Sequence, residues 1–259
     1  MPTRLLPSCP SLEFLTKEAK RKLKQIKPSK PTLSLAQAQH ELAREYGFVS
    51  WAKLKQHVTR PDQDSSSLGT AMRALRGGLP IILYDDSGRE SEGDYVYAAE
   101  KITSQSINFL TKNGRGTLCL ALPPEHVDRL KLPLVRQDRE SIAFPAFTAS
   151  IDAREGISTG VSAADRAQTI LAAVSDCATP ESVRSPGHVF PLRAVEGGLK
   201  SRRGHTEASI EMVRRSGLKP AAVICEILND DGTMARLIDV KRLASEKSIP
   251  LICFSDLEA

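Results

Sequence analysis

The sequence has no long run of apolar residues. No stretch of about 18 consecutive apolar residues occurs, so we do not expect a membrane-spanning helix. The first ten residues also lack the apolar core and the small-residue cleavage site of a secretory signal. We therefore expect a cytoplasmic protein without a membrane partner.

Cysteines are few and are not paired along the sequence. Five are present, at positions 9, 119, 177, 225 and 253. No two stand at the short spacing that is typical of a zinc knuckle or of a disulfide framework. We expect these thiols to be reduced, and most of them to be buried.

Positive charge is concentrated at the N-terminal end. Residues 1–60 carry 12 Lys or Arg against 4 Asp or Glu, whereas residues 61–259 carry 24 against 27. Apolar residues in the basic part recur at spacings of three and four, which predicts helices over residues 11–26, 35–46 and 50–58. We predict disorder over residues 1–10, a basic helical module over 11–58, a linker over 59–67 and a larger domain over 68–259.

The basic module has two possible roles. Its lysine cluster at residues 17–30 could bind nucleic acid, because phosphate contacts need only clustered cations. A solvated helix face explains the same charges and is favoured, so nucleic acid is not the expected partner. Tyr46, Phe48 and Trp51 are predicted to form a small core in this module. The sequence does not identify a partner for this module.

The larger domain alternates apolar runs with amphipathic stretches. This pattern predicts an α/β fold with a mixed sheet flanked by helices. Predicted strands lie at residues 80–84, 95–99, 114–122 (after a tight glycine turn), 147–152, 186–192, 221–228 and 249–254. Predicted helices lie at residues 70–77, 104–113, 124–130, 162–174, 208–216 and 240–247. Ser162 is the predicted N-cap of its helix, in a capping-box-like pair with Asp165.

An acidic segment follows the first predicted strand. Residues 85–94 contain five carboxylates and one arginine. Ligands of α/β proteins usually bind at the ends of strands, and carboxylates that repel one another are tolerated beside a cation. The segment is either a solvated acidic loop or a site for a divalent metal ion, which prefers oxygen ligands.

Residues 202–207 combine three kinds of chemistry. Two arginines can bind phosphate, a glycine lets backbone N–H groups approach an anion, and His205 and Glu207 are metal-ligand types. A plain structural interpretation is a charged turn before a helix, with Thr206 as N-cap and Glu207 complementing the helix dipole. Both interpretations stay open on these six residues alone.

Two further polar residues stand in apolar surroundings. His188 lies at the mouth of a predicted short strand, where a single histidine is more often structural. Glu226 lies within an apolar strand, where an unpaired carboxylate would cost several kcal/mol. We therefore expect Glu226 to have a partner or to be neutral.

Taken together, these segments resemble the 3,4-dihydroxy-2-butanone 4-phosphate synthase family. The resemblance extends from about residue 68 to residue 258. It rests on DDSGRESEGD (85–94), GRG (114–116), FT (147–148), TGVSAADR (159–166), GHVFPL (187–192), GHTEA (204–208) and CEILNDDGTMA (225–235). No segment resembling GTP cyclohydrolase II follows, so we expect the form with synthase activity alone.

The resemblance implies conversion of D-ribulose 5-phosphate to L-3,4-dihydroxy-2-butanone 4-phosphate and formate, a lyase reaction of riboflavin biosynthesis that uses Mg²⁺ or Mn²⁺. It also implies an active site at a homodimer interface. The implied metal ligands are Glu90 and His205, and the implied catalytic residues are His188 and Glu226. The implied substrate-binding residues are Arg89, Glu90, Asp94, Arg202, Arg203, Gly204, His205 and Thr206.

The sequence departs from the family pattern at two places. Ser87 and Gly88 replace acidic residues, and Ser91 replaces an asparagine. Residues 135–146 lack the Asn-Asn-Thr segment that family members carry. The second departure raises the alternative of a paralogue acting on another sugar phosphate. A further alternative is a catalytically silent scaffold that acts through the N-terminal helices, although every metal, acid-base and phosphate residue carried over from the family is present.

Overall fold

The fold is given by a computed structural model, which describes residues 12–27, 33–46, 50–52, 54–55, 67–135 and 144–257. Contacts divide the chain into two compact units, residues 1–66 and 67–259. In the described ranges, no helix combines the length and the apolar character needed to cross a membrane. The predictions for residues 1–11, 47–49, 56–66 and 136–143 fall outside these ranges.

Within its described residues, the first unit contains helices α1 (Leu12–Ile26) and α2 (Leu35–Glu45). Ser34 caps α2, because its hydroxyl accepts a hydrogen bond from the Gln37 backbone N–H while the Gln37 side chain accepts one from the Ser34 N–H. Residues 51–52 and 54–55 are also helical. The predicted helices at 11–26 and 35–46 are confirmed.

Apolar side chains of these helices form a small core. Leu15 of α1 is fully buried in a cluster with Leu42, Tyr46 and Leu54, and Trp51 packs against it. The predicted core role of Tyr46 and Trp51 is therefore confirmed. On the outside of α1, the side chains at positions 17, 20, 21, 24 and 27 form a basic, exposed face.

The second unit is built on a mixed sheet. In the part of the chain that the structure describes, the strands follow the order β4-β6-β3-β7-β2-β1-β8, and β5 also pairs with β6. The β1–β8 and β3–β6 pairs are parallel and the other pairs are antiparallel. The strands are β1 (Ile81–Tyr84), β2 (Gly93–Ala98), β3 (Cys119–Leu122), β4 (Ala146–Phe147), β5 (Ile151–Ala153), β6 (Val183–Arg193), β7 (Ala222–Glu226) and β8 (Leu251–Cys253). The predicted fold class is confirmed.

Helices cover both faces of this sheet. They are α3 (Ser67–Arg76), α4 (Ser104–Asn113), α5 (Pro124–Arg129), α6 (Ala163–Val174), α7 (His205–Arg215) and α8 (Leu237–Lys247), with short 3₁₀ segments at Ala99–Lys101, Pro180–Ser182, Gly198–Lys200 and Phe254–Leu257. Along β2, Tyr95 and Tyr97 face a core shared with α4, α6 and α8, whereas Val96 and Ala98 face a second core shared with α3 and α7. The alternation follows from the two-residue period of a strand.

Several predicted boundaries are wrong, and three of the differences change an interpretation. The predicted strand at 147–152 is two short strands, because the N–H of Thr148 donates to Pro191 O and that of Ala149 donates to Pro133 O between them. The predicted short strand at 186–192 is part of the 11-residue β6, so His188 lies inside a strand and not at its mouth. Helix α3 already includes Ser67, which was predicted to be linker.

The start of α6 confirms half of the predicted capping pair. The Ser162 hydroxyl accepts a hydrogen bond from the Asp165 N–H at 3.0 Å. The Asp165 carboxylate accepts from the Ser158 hydroxyl at 2.7 Å and from the Gly160 N–H at 3.0 Å. These bonds, chiefly the one from Ser158, lower the pKa of Asp165 to about 2. Asp165 thus holds the preceding loop onto the helix.

Candidate active site

Two carboxylates meet across neighbouring strands of the sheet. Asp94 of β2 and Glu226 of β7 are directly paired in the antiparallel register. Residues opposite each other in such a pair project on the same face of the sheet. Asp94 is two positions from Val96 and Glu226 is two positions from Ile224, so both carboxylates lie on the face covered by α7. Asp94 is buried and Glu226 is half-buried. Glu226 is the last residue of its strand.

The acidic loop between β1 and β2 is organised by its first carboxylate. Buried Asp85 accepts hydrogen bonds from the N–H of Ser87 at 2.9 Å and from the N–H of Glu90 at 2.8 Å. Burial alone would raise the pKa of Asp85, but a hydrogen bond from the Ser87 hydroxyl, together with these two N–H bonds, lowers it below its ordinary value. Asp86 accepts from the Ser255 N–H. The five carboxylates therefore do not form one cluster, and Asp85 has the structural task of presenting Glu90.

Helix α7 begins at His205, with Gly204 as its N-cap. The predicted N-cap, Thr206, is wrong because Gly204 already has the extended conformation of a cap (φ −133°, ψ 160°). Arg202 folds back over this glycine and donates to Glu207 at 2.6 Å. A Cβ on Gly204 would lie 2.1 Å from Nη1 of Arg202. The glycine thus makes room for an ion pair in which both side chains are buried.

His205 links the start of α7 to both acidic segments. Its Nδ1 lies 3.2 Å from Oε2 of Glu90, and its Nε2 lies 3.9 Å from Oδ1 of Asp94. Its ring packs edge-on against Phe254, with the ring centroids 4.9 Å apart. Burial by itself lowers the pKa of His205, but the negative charges of Asp94 and Glu90 outweigh it and raise the pKa to about 9.

Asp94 is the carboxylate most affected by this environment. Burial raises its pKa to about 7; His205 opposes this rise, while Glu226 and Glu90 add to it. Within the described residues, neither Oδ1 of Asp94 nor Nε2 of His205 has a hydrogen-bond partner, although both atoms are buried. Buried polar atoms usually have a partner. Two such atoms that face each other suit an additional ligand.

Two arginines fix the acidic loop, Arg89 from within the loop and Arg236 from the N-cap position of α8. Arg89 contacts Oε1 of Glu90 at 2.5 Å and donates through Nε to the carbonyl of Arg203 at 3.1 Å. Arg236 donates to the carbonyls of Glu90 and Ser91 at 3.1 and 3.0 Å. Arg89 was among the predicted site residues, whereas Arg236 was not. A signal was present, because Arg236 directly follows the block at residues 225–235.

Glu226 has a backbone partner on the turn before β3. Its Oε2 accepts a hydrogen bond from the Thr117 N–H at 2.7 Å, so the partner expected for this carboxylate is found. A Cβ on Gly116 would lie 2.4 Å from the same oxygen. The glycine is required because the turn passes directly over the carboxylate. Gly116 and Thr117 therefore set the orientation of Glu226.

These side chains surround one cleft with a volume of about 90 Å³. Its lining includes seven predicted site residues, namely Arg89, Glu90, Asp94, Arg202, His205, Thr206 and Glu226. Arg203 and Gly204 lie on the loop that leads into α7. Cys119 also lines the cleft, and burial raises the pKa of its thiol. No pattern in the sequence distinguishes this cysteine from the other four.

The predicted catalytic residue His188 is not part of this cleft. It lies on β6, four residues before Leu192, which does line the cleft. Four strand residues span about 13 Å. His188 contacts the buried Asp152 of β5, with Nδ1 3.1 Å from Oδ2. Within one chain, the structure thus separates His188 from the other site residues.

The two predicted metal ligands are in contact, but no larger preformed set accompanies them. In the described ranges, no group of three or more His, Cys, Asp or Glu side chains is arranged to hold a metal ion. Glu90 and His205 offer one carboxylate and one imidazole within 3.2 Å of each other. Of the two buried atoms without partners, Nε2 belongs to His205 itself and Oδ1 belongs to the neighbouring Asp94.

Comparison with known protein families identifies the second unit. The family model for 3,4-dihydroxy-2-butanone 4-phosphate synthase matches residues 69–259. The chain belongs to this family. The predicted family is therefore confirmed, and the first unit lies outside the matched residues.

Two members of the synthase family are similar to this chain over more than half of their own length. A 3,4-dihydroxy-2-butanone 4-phosphate synthase from Shewanella sediminis is 46% identical over 188 residues, which is 73% of this chain and 87% of that protein. A two-domain synthase from A. baumannii, known from a crystal structure, has 42% sequence identity to this chain and a TM-score of 0.70. The match covers 73% of this chain and 56% of that one.

A third comparison bears on metal binding. A crystal structure of a 3,4-dihydroxy-2-butanone 4-phosphate synthase in complex with two magnesium ions is 34% identical to this chain, with a TM-score of 0.68. The match covers 73% of this chain and 93% of that one. The family fold seen here is therefore one that has been crystallised with magnesium.

Proposed function

We propose that the protein is a lyase that converts D-ribulose 5-phosphate to L-3,4-dihydroxy-2-butanone 4-phosphate and formate, as a step of riboflavin biosynthesis. The observation that supports this proposal most directly is the convergence of Glu90, Asp94, His205 and Glu226 on one cleft of a synthase-family chain. These residue types can bind a cation and transfer protons, which are the two requirements of the reaction.

The metal-binding part of the proposal assigns Mg²⁺ or Mn²⁺ to Glu90 and His205. The donor set fits, because the two side chains are in contact, and neither Nε2 of His205 nor Oδ1 of the neighbouring Asp94 has a hydrogen-bond partner in the described residues. Mg²⁺ commonly takes only one or two protein ligands and fills its other positions with water and substrate oxygens. When bound, such an ion acts as a Lewis acid on adjacent substrate oxygens.

The phosphate-binding part assigns Arg89 and residues 202–206 to the substrate. The N-terminus of α7 directs backbone N–H groups and a positive helix dipole toward the cleft, an arrangement that suits a phosphate group. Thr206 and Arg202 line the cleft beside this terminus. Arg89 bridges the acidic loop and the Arg203 carbonyl, so it can orient both segments around one ligand.

Proton transfer is assigned to the carboxylates of Asp94 and Glu226 and to the imidazole of His188. The reaction removes a proton next to a carbonyl, rearranges the carbon skeleton and releases carbon 4 as formate. Product and formate together contain all the atoms of the substrate, so no oxidant is needed. Asp94, with a pKa of about 7, can hold or release a proton at Oδ1. Glu226 lies opposite it, and His188 is the third proton-transfer group.

The position of His188 supports a homodimer. This residue lies about 13 Å along β6 from the cleft, and its side chain is 43% exposed. Exposed apolar side chains surround the same end of the sheet, at Leu134, Val135, Phe144 and Phe190. We assign this surface to a second copy of the chain, so that His188 of one subunit serves the cleft of the other.

The test is formate release from D-ribulose 5-phosphate with Mg²⁺ and, separately, with Mn²⁺. Glu90→Ala and His205→Ala are expected to abolish metal-dependent formate release. Matched controls are Glu196→Ala and His126→Ala, which alter the same residue types outside the cleft and should retain activity. A folded, metal-bound protein that releases no formate would overturn the proposed activity.

The same assay decides between substrates. The altered segment at 135–146 motivates a paralogue that acts on another sugar phosphate, so a panel of pentose and tetrose phosphates should be assayed in parallel. Turnover of another sugar phosphate, with none of ribulose 5-phosphate, would favour the paralogue. If the Glu90→Ala variant lost this turnover of the other sugar phosphate, the reaction would still be assigned to the same cleft.

A further inference from the structure

His188 and Asp152 form a close pair outside the cleft. Oδ1 of Asp152 accepts a hydrogen bond from the backbone N–H of His188 at 3.0 Å. The ring Nδ1 of the same histidine lies 3.2 Å from Oδ1 and 3.1 Å from Oδ2. Asp152 is only 3% exposed. One buried carboxylate therefore holds both the backbone and the ring of His188.

Two glycines make this contact possible. Gly160 has a φ of +98°, and a Cβ there would lie 2.4 Å from Oδ2 of Asp152 and 2.6 Å from Nδ1 of His188. A Cβ on Gly187 would lie 2.3 Å from the backbone nitrogen of Asp152. The N–H of Gly160 is in turn held by Asp165. The loop before α6 and the bulged residues 185–188 of β6 thus close around the pair.

This geometry defines which ring nitrogen is available. A carboxylate that accepts the Nδ1 proton leaves the Nε2 lone pair free in the neutral imidazole, and it stabilises the imidazolium that forms when Nε2 takes up a proton. The 43% exposed side chain of His188 leaves the ring accessible to a ligand. We propose that Asp152 is a positioning residue, which holds His188 so that Nε2 is the atom that accepts and returns protons in the reaction.

This inference rests on the proposed function, in which His188 transfers protons. It adds Asp152 as a positioning residue and specifies the tautomer of the His188 ring. A purely structural role for Asp152 would need only its bond to the backbone N–H of His188. The two roles differ in the ring, because only the positioning role depends on the protonation pattern of the imidazole.

The decisive variant is Asp152→Asn in the full chain. The backbone N–H of His188 requires an acceptor, so the new amide must direct its oxygen there and its NH₂ group toward the ring. The ring must then accept at Nδ1 and carry its proton on Nε2. We expect ¹⁵N NMR of histidine-labelled protein to show this change of tautomer, with His188 assigned by the signal missing in His188→Ala. We expect kcat to fall by at least about 10²-fold, with KM changed much less.

A double mutant tests whether Asp152 acts through His188. Asp152→Asn should lower kcat in the wild-type background and have no further effect in the His188→Ala background. The matched structural control is Thr169→Val, which removes the hydrogen bond to the Ala153 N–H beside Asp152 but leaves the carboxylate unchanged. This control should retain the wild-type tautomer and kcat.

Gly160→Ala provides a second variant should Asp152→Asn fold poorly. Its Cβ displaces the ring or the carboxylate, so the same change in the His188 signal is expected. A wild-type tautomer and kcat in either folded variant would overturn the proposal, as would equal effects of Asp152→Asn in both backgrounds. The tautomer is measured without substrate and therefore decides the positioning role alone, whereas absence of formate from the wild-type protein would overturn the proposed function.

Discussion

Nε2 of His205 faces Oδ1 of Asp94 at 3.9 Å, and neither buried atom has a hydrogen-bond partner in the described part of the chain. The distance is too long for a hydrogen bond. The two residues nevertheless influence each other strongly, because Asp94 helps to raise the pKa of His205 to about 9 while His205 limits the rise for Asp94. This pair joins the sheet to the start of α7 and lies at the centre of the cleft.

The pKa of Asp94 predicts a pH-dependent stability. Burial raises this pKa from 3.8 to about 7, so the folded protein binds more protons than the unfolded chain between these values. The stabilising contribution of this group is therefore complete below about pH 4 and is lost as the pH rises through 7. Over this range, the loss in unfolding free energy is at most about 1.4 kcal/mol per pH unit. Urea unfolding in EDTA should show that wild type loses stability relative to Asp94→Asn over this range. A pH-independent difference would contradict the assignment.

The raised pKa of His205 also predicts a loss of stability with rising pH, over a higher pH range than for Asp94. Its pKa is raised from 6.5 to about 9, so its stabilising contribution is present below pH 6.5 and is lost as the pH rises through 9. In metal-free protein, the difference in unfolding free energy between wild type and His205→Gln should therefore shrink from pH 6.5 to pH 9. His126→Gln, which alters a histidine outside the cleft, should show no comparable loss.

The ion pair between Arg202 and Glu207 predicts a large loss of stability. Both side chains are buried, and Glu207 also accepts from the Val195 N–H. Glu207→Gln leaves a buried guanidinium facing a neutral amide, which we expect to cost about 3 kcal/mol in unfolding free energy. Glu196→Gln removes an exposed carboxylate and should change stability by less than about 0.5 kcal/mol. Equal effects of the two variants in urea unfolding would contradict this account.

The contact between Gly116 and Glu226 predicts a loss of activity without unfolding. A Cβ on Gly116 would lie 2.4 Å from Oε2 and 2.7 Å from Cβ of Glu226, so Gly116→Ala must displace the carboxylate. We expect formate release to fall by at least about 10²-fold, the scale of a lost acid-base group. Gly77→Ala is the matched control, because its Cβ would meet only ordinary contacts at 3.4 Å. Full activity in a folded Gly116→Ala variant would exclude a precise orientation of Glu226.

The N-terminal unit is expected to be dispensable for the synthase reaction. The family match begins at residue 69, and the helical unit has its own core. We propose that this unit is a separate module, so deletion of residues 1–60 should retain formate release. Leu15→Asp disrupts the same core in the full-length chain and should give the same result. Loss of activity in both variants would instead assign the helices a supporting role in the synthase.

Local features of the fold were predictable because the interactions that define them lie close together in the sequence. The caps at Ser34 and Ser162 involve residues three positions apart. The alternation of apolar residues likewise predicted a mixed sheet flanked by helices. The single strand predicted at 147–152 was wrong because its break depends on bonds to distant residues 133 and 191. The N-cap of α7 was misplaced because the space over Gly204 is occupied by a side-chain ion pair.

The family, the residue types of the site and most of the elements that carry them could be predicted from the sequence. Which of these residues act together depends on the three-dimensional fold. Asp94 and Glu226 are 132 positions apart and meet through the register of β2 and β7, while Asp152 meets His188 through a bulge between β5 and β6. Strand order and register arise from packing of the whole sheet, so no local pattern contains these pairings. The same packing creates the buried environment that shifts the pKa values of Asp94 and His205.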